Sequence, residues 1–164
     1  MKKTDKTDKT EKTNVMRLLE QKKIDYKSYD YTDTGVISGA EVAEALGQNP
    51  EQVYKTLVTQ GATNNYYVFL VPVLKELNLK AGAKAVGEKS IAMIKSKELL
   101  PLTGYIHGGC SPIGMKKQFK TVIDASVTNF ETIFFSAGKI GYQVEVAVKD
   151  IEKIVRYELS DIAE

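Results

Sequence analysis

The chain predicts an α/β fold of the α+β type: a curled, mixed, barrel-like β-sheet flanked by helices. Three observations predict it. Five to seven short apolar segments read as strands, helical segments fall between them at irregular intervals, and Gly-Lys-Ile-Gly at 138–141 joins two strands as a hairpin. A doubly wound sheet would need strict alternation of strand and helix, which this chain lacks. At 164 residues it has the length for one domain with a sizeable core and no disulfide.

The elements follow in order. Residues 1–14, MKKTDKTDKTEKTN, have no apolar residue after Met1 and cannot offset the entropy of ordering. They are expected to be a disordered tail, with a single folded domain over 15–164. Val15, Leu18 and Leu19 have helical spacing, with Asn14 as the cap. Residues 26–31 alternate apolar and polar and suit an edge strand. Ser38 caps a helix through Val42 and Leu46 that Gly47 stops, and Asn49-Pro50-Glu51 reads as a turn or single helical turn. Residues 53–59 form a strand, and YYVFLVPV at 66–73, apolar on both faces, a buried one. A helix over 79–86 ends at Gly87. A short strand at 91–94 and a short helix at 97–100 follow, then strands at 121–124, 132–137 and 143–148. Ile151, Ile154 and Val155, with Leu159 beyond, predict a closing amphipathic helix.

Composition narrows the function. The chain is 43% hydrophobic and 27% charged, as soluble globular proteins are. It has no apolar run of membrane-spanning length and too polar a start for a signal peptide. Its lone cysteine, Cys110, cannot pair within the chain, so a cytoplasmic protein is expected. The formal charge of +2 resides wholly in residues 1–14, which hold five lysines against three acids. A neutral body carries no footprint for DNA, and RNA contacts would need a local patch or a helping partner.

Two places carry candidate chemistry. In the strand at 53–59, the period of two sets Lys55 on the face of Val53 and Leu57, which is apolar. Its ammonium either snorkels to solvent or enters a cleft. GGCSPIGMKK at 108–117 has glycines that admit close approach of a ligand to the main chain, and free N–H groups able to form a nest. It matches neither a Walker loop nor a dinucleotide fingerprint. Ser111 has no evident acid–base partner, and His107, four residues away, does not make a triad with it. Cys110 is a small apolar residue or a thiolate, with nothing in the sequence to lower its pKa. One histidine and one cysteine build no zinc shell, and no metal or cofactor is expected. Ser136 is a turn residue or a ligand contact, and Tyr31 an edge-packing residue or a pocket one.

Taken together, VYKTLV at 53–58, TGYIHGGCSPIGMKK at 103–117 and FFSAGKIG at 134–141 resemble, in order and spacing, the YbaK/EbsC family of Cys-tRNA(Pro) deacylases. These are relatives of the editing domain inserted in some prolyl-tRNA synthetases. The resemblance implies a curled mixed sheet with the site at its open face. It implies that Lys55 is the key functional lysine, near the 3′-terminal adenosine or the aminoacyl ester. Gly108, Gly109 and Ser111 would line the pocket, main-chain amides near the ester carbonyl, with Cys110 as lining and Tyr31 and Ser136 as pocket residues. Gln143 stands where close relatives have an aspartate. It keeps a hydrogen bond but brings no charge. Lys116, Lys117, Lys120 and Lys139 are the candidates for tRNA phosphate contacts.

The implied mechanism needs no protein nucleophile: the thiol of the misattached cysteine attacks its own ester. The implied partners are the 3′ end of aminoacyl-tRNA and prolyl-tRNA synthetase. Removal of another small amino acid, such as alanine, by water attack, and a non-catalytic RNA-end-binding or synthetase-associated module, are the alternatives.

Overall fold

The computed structural model describes residues 12–164; the rest of the expected tail lies outside the described residues. Lys12 to Asn14, assigned to that tail by composition, belong to the fold. The hydroxyl of Thr13 accepts the N–H of Met16 at 3.3 Å and caps helix α1 (Asn14–Gln21), while Lys12 pairs with Glu20 at 3.0 Å. Thr13, rather than Asn14, is the cap; Thr13 has the extended backbone a cap requires and Asn14 is already helical.

Strand β1 (Tyr26–Asp30) follows, then α2 (Gly39–Leu46), capped by Ser38, and a 3₁₀ turn, Pro50–Gln52, capped by Asn49. The middle holds β2 (Tyr54–Gly61), β3 (Tyr66–Pro72), α3 (Leu79–Val86), β4 (Ile91–Met93) and α4 (Ser96–Thr103). The last part holds β5 (Lys120–Asp124), β6 (Thr132–Ser136), β7 (Tyr142–Ala147), α5 (Val148–Ile151) and β8 (Tyr157–Ser160).

The strands form two sheets. A five-stranded sheet in the order β4-β2-β3-β5-β8 is mixed: β2 is antiparallel to β3 and β4, and β5 is parallel to β3 and β8. A three-stranded antiparallel sheet has the order β1-β7-β6, with β1 at its edge as its alternating sequence predicts. The expected single, barrel-like sheet is thus two sheets, not closed into a barrel. They are linked by one parallel bridge, Val53 to Phe134. Closure would require β2 and β6 to pair along their length, but β2 gives the far end of that edge to β4.

The expected closing helix is also corrected. Helix α5 ends at Ile151, and residues 157–160 pair as β8 with β5. Short apolar recurrences fit either period, and the exposed edge of β5 supplies the partner that settles it.

The core occupies both faces of the five-stranded sheet. Val68 and Leu70 of β3 face Val15 and Leu19 of α1 together with Ile133, Phe135 and Val144 of the smaller sheet. Tyr67, Phe69 and Val71 face Leu77, Ala83, Val86 and Ile162. Each such aliphatic or aromatic burial contributes about 1.5–3 kcal/mol before entropy is counted.

Candidate active site

The site follows from a gap in strand pairing. Val53 O accepts from Val73 N at 2.8 Å and Gly61 N donates to Asn65 O at 2.8 Å, so odd-numbered residues of β2 bond toward β3. The even-numbered residues turn their N–H and C=O to the other edge. There Phe134 bridges at Val53, and β4 takes over where Ile94 N donates to Val58 O at 3.3 Å. Between them Thr56 has no strand opposite it, and its main-chain polar groups face a gap. Among the described residues, the Thr56 hydroxyl is also the one buried side-chain polar atom without a hydrogen-bond partner.

A cavity of about 810 Å³ fills this gap. Its walls are the start of α2, the open edge of β2, the segment from Met93 into α4, the 107–110 loop, and the ends of β6 and β7. Because it wraps round a strand edge, it meets residues from both faces of β2, Lys55 as well as Tyr54 and Thr56.

Six of the sequence-predicted residues line this cavity: Tyr31, Lys55, Gly108, Cys110, Ser136 and Gln143. The Lys55 side chain is 29% exposed, and its Nζ lies 3.5 Å from Glu76 Oε1, on a side chain 80% exposed. Lys55 lines the cavity, its ammonium tethered by a solvated carboxylate. Such a tether contributes about 0–1 kcal/mol, so the lysine can exchange it for a ligand.

Gly108 has φ of 88°, a conformation that L side chains rarely adopt. Gly109 does not line the cavity but packs on the β6–β7 hairpin, where an added Cβ would lie 3.1 Å from Ile140 N. Ser111 is 0% exposed and its hydroxyl accepts from Ile113 N at 3.3 Å, so it shapes the loop from behind. Cys110 lines the cavity, and burial pushes its thiol up to about 12, which favours the neutral form. Ser136 accepts from Gly138 N at 3.0 Å through its hydroxyl. Burial likewise raises the Tyr31 phenol, which remains a neutral polar contact.

Gln143 is 3% exposed and exchanges two hydrogen bonds with Gln48, which sequence reasoning did not single out. Nor did it single out Thr56, Glu76, Met93 or Lys95, all of which line the cavity. The unbroken strand pattern through VYKTLV conceals the missing neighbour at Thr56.

The four lysines expected to meet tRNA phosphates lie in the loop before β5, at the start of β5 and in the β6–β7 hairpin. Lys116 Nζ lies 3.4 Å from Pro101 O, and Lys139 lies 5.6 Å over the Tyr142 ring. Lys120, on β5, is 3.9 Å from Glu158, and Lys117 is exposed.

The aminoacyl-tRNA editing domain profile matches residues 35–154. A protein of Enterococcus faecalis named Cys-tRNA(Pro)/Cys-tRNA(Cys) deacylase EbsC is 42% identical over 150 residues, 91% of this chain and 92% of its own. The proline–tRNA ligase of Kosmotoga olearia is 31% identical over 120 residues, 71% of this chain and 20% of the ligase. A solved structure described as a trans-editing enzyme for prolyl tRNA synthetase superposes with a TM-score of 0.79 over 92% of this chain and 94% of its own; at 22% identity it shows a shared fold. On the profile match and the identity to EbsC, the chain belongs to the aminoacyl-tRNA editing domain family.

Proposed function

We propose that the chain is a trans-acting editing enzyme that deacylates Cys-tRNA(Pro), and Cys-tRNA(Cys) with it, using the thiol of the misattached cysteine. One observation carries this reading: the cavity assembles a cation, main-chain amides and neutral hydrogen-bonding side chains around a space in which the protein's own thiol and serine hydroxyl are not activated. The substrate sulfur attacks the ester carbonyl carbon, the carbon–oxygen bond to the ribose breaks, and the 3′-hydroxyl leaves with a proton. Lys55 and the main-chain N–H groups of Gly108 and Cys110 hold the ester and stabilise the developing oxyanion, the Gly109 N–H being given to Ile106 O at 2.9 Å, and enclosure holds the thiol close to the carbonyl. Thr56, with its open main-chain groups, adds a donor and an acceptor for the aminoacyl moiety.

The lysines near the site are few, so prolyl-tRNA synthetase would supply much of the tRNA affinity; the compartment would be that of translation, the cytoplasm. The test is release of cysteine from Cys-tRNA(Pro), with and without the synthetase, against Ser-tRNA(Pro). Release with cysteine and little with serine is the expected result. No acceleration over spontaneous hydrolysis would refute the activity, and equal rates would refute thiol assistance. A second reading, removal of another small amino acid by water attack, is favoured by the neutral Gln143. A panel including Ala-tRNA(Pro) separates the two.

A further inference from the structure

We infer that Gln48 is a positioning residue of the aminoacyl pocket. It holds the Gln143 carboxamide in one orientation, so that Gln143 offers the esterified amino acid one donor, one acceptor and no charge. The inference rests on the reading of the pocket given above.

Gln143 lies in the central strand of the smaller sheet, paired with Tyr29 of β1 and Ser136 of β6, and lines the cavity. Gln48 Nε2 donates to Gln143 Oε1 at 2.7 Å, and Gln143 Nε2 donates back to Gln48 Oε1 at 3.1 Å. A carboxamide has two N–H donors and two lone pairs on its oxygen. The reciprocal pair uses one of each and leaves one of each. Without Gln48, the final torsion of Gln143 is broad and roughly two-fold, and the amide can exchange donor for acceptor. Gln48 removes that freedom from a side chain that is buried in the wall.

Gln52 is an internal comparison. Gln48 and Gln52 stand on either side of Pro50, and both reach the three-stranded sheet. Gln52 Nε2 donates to the Thr132 carbonyl at 2.7 Å and to its hydroxyl at 3.0 Å. Thr132 begins β6, at the opposite end from Ser136, and neither Gln52 nor Thr132 lines the cavity. Both glutamines therefore tie the segment after α2 to the sheet, but only Gln48 does so through a pocket residue. A purely structural role predicts like consequences for the two; positioning predicts unlike ones.

The experiment compares the full chain with Gln48→Leu, Gln48→Glu, Gln143→Leu, Gln52→Leu and the double variant Gln48→Leu/Gln143→Leu. Two readouts are used: binding of a stable mimic, cysteine joined by an amide to 3′-amino-3′-deoxyadenosine, and kcat/KM on Cys-tRNA(Pro). Gln48→Leu is expected to weaken both by roughly five- to tenfold, with no further loss in the Gln143→Leu background. Gln48→Glu sets an acceptor against Gln143 Oε1, where Gln48 Nε2 now donates, so it cannot restore the reciprocal pair and is expected to lose binding and turnover as Gln48→Leu does. Gln52→Leu lowers the melting temperature as Gln48→Leu does but leaves binding and turnover within about twofold. Losses that multiply in the double variant, or an equal loss of binding in Gln52→Leu, overturn the inference alone. Failure of the mimic to bind the wild-type chain overturns the pocket reading, and the inference with it. Should Gln48→Leu not fold, Gln48→Glu set against Gln143→Leu carries the same comparison.

Discussion

The five-stranded and three-stranded sheets meet at the same cavity but bring different material to it. In the larger sheet, β3 is apolar on both faces, with Val68, Phe69, Leu70 and Val71 each at most 1% exposed. Its neighbour β2 delivers one charge, Lys55, from the stretch of edge that lacks a partner. The smaller sheet is apolar where it meets the larger one, but a polar network ties it to the segment after α2. There Tyr29 donates to Glu145 at 2.8 Å, Gln48 pairs with Gln143, and Gln52 bonds Thr132. Dry packing fixes the cation through strand register. A hydrogen-bond network fixes the neutral groups, and it can be altered singly without removing the core.

Predictions follow this contrast from the largest effect down. Phe69→Ala should remove about 3–5 kcal/mol of stability in urea unfolding, because the surroundings cannot collapse into the space. A loss under about 1 kcal/mol, the scale of a surface change, would show that the larger sheet is not the rigid partner. Lys55→Ala should reduce deacylation roughly a hundredfold or more while leaving the melt nearly unchanged, since the lysine's ion pair is with a solvated carboxylate. Full activity would remove Lys55 from the site.

The two remaining predictions concern the pH limits of stability, one for each sheet. Burial, with the hydrogen bond to Glu145 next, raises the Tyr29 phenol to about 12. A raised folded value means its stabilisation is intact below the unfolded value, about 10, and is lost as pH climbs through about 12. Tyr29→Phe should shallow that alkaline decline, as read from urea midpoints. In the larger sheet, burial of Asp124 raises its carboxyl, but hydrogen bonds from Ser126 and from the N–H groups of Ile162 and Ala163 outweigh this and leave it lowered. Its stabilisation is therefore intact above the unfolded value, about 3.9, and is lost as pH falls through the folded one. Asp124→Asn should flatten the acid limb and leave the alkaline limb alone. An unchanged acid limb would mean that this carboxylate does not hold the C-terminal segment.

Much of this fold is legible in the sequence, for local reasons. Ser38 and Gly47 bound α2, Gly87 ends α3, and the doubly apolar β3 runs through the centre of its sheet. The misreadings lie where local signals are ambiguous. The run Ile151, Ile154, Val155, Leu159 satisfies a helical period over too short a span to exclude a strand, and the edge of β5 decides. The number of sheets was not legible either, because no residue type announces that β2 and β6 meet at a single bridge. For the site, Lys55 and the 108–110 loop were visible as an out-of-place charge and a glycine-rich run. Gln48 was not, since one glutamine after a helix stop looks like any solvated loop residue until its partner 95 positions away is known.

The sequence by itself determined which residue types the site could use: one lysine in an apolar strand, a loop with positive-φ glycine, one thiol and a hairpin with serine at its mouth. Turn chemistry, period and composition act over a few residues and are written in the chain. Tertiary structure alone decided what those residues became. The cavity exists because β2 lacks a neighbour over a few residues, the thiol is neutral because the loop is buried, and Gln143 has a fixed amide because Gln48 reaches it. Each depends on which distant segment fills or leaves the adjoining space, and long-range packing sets that.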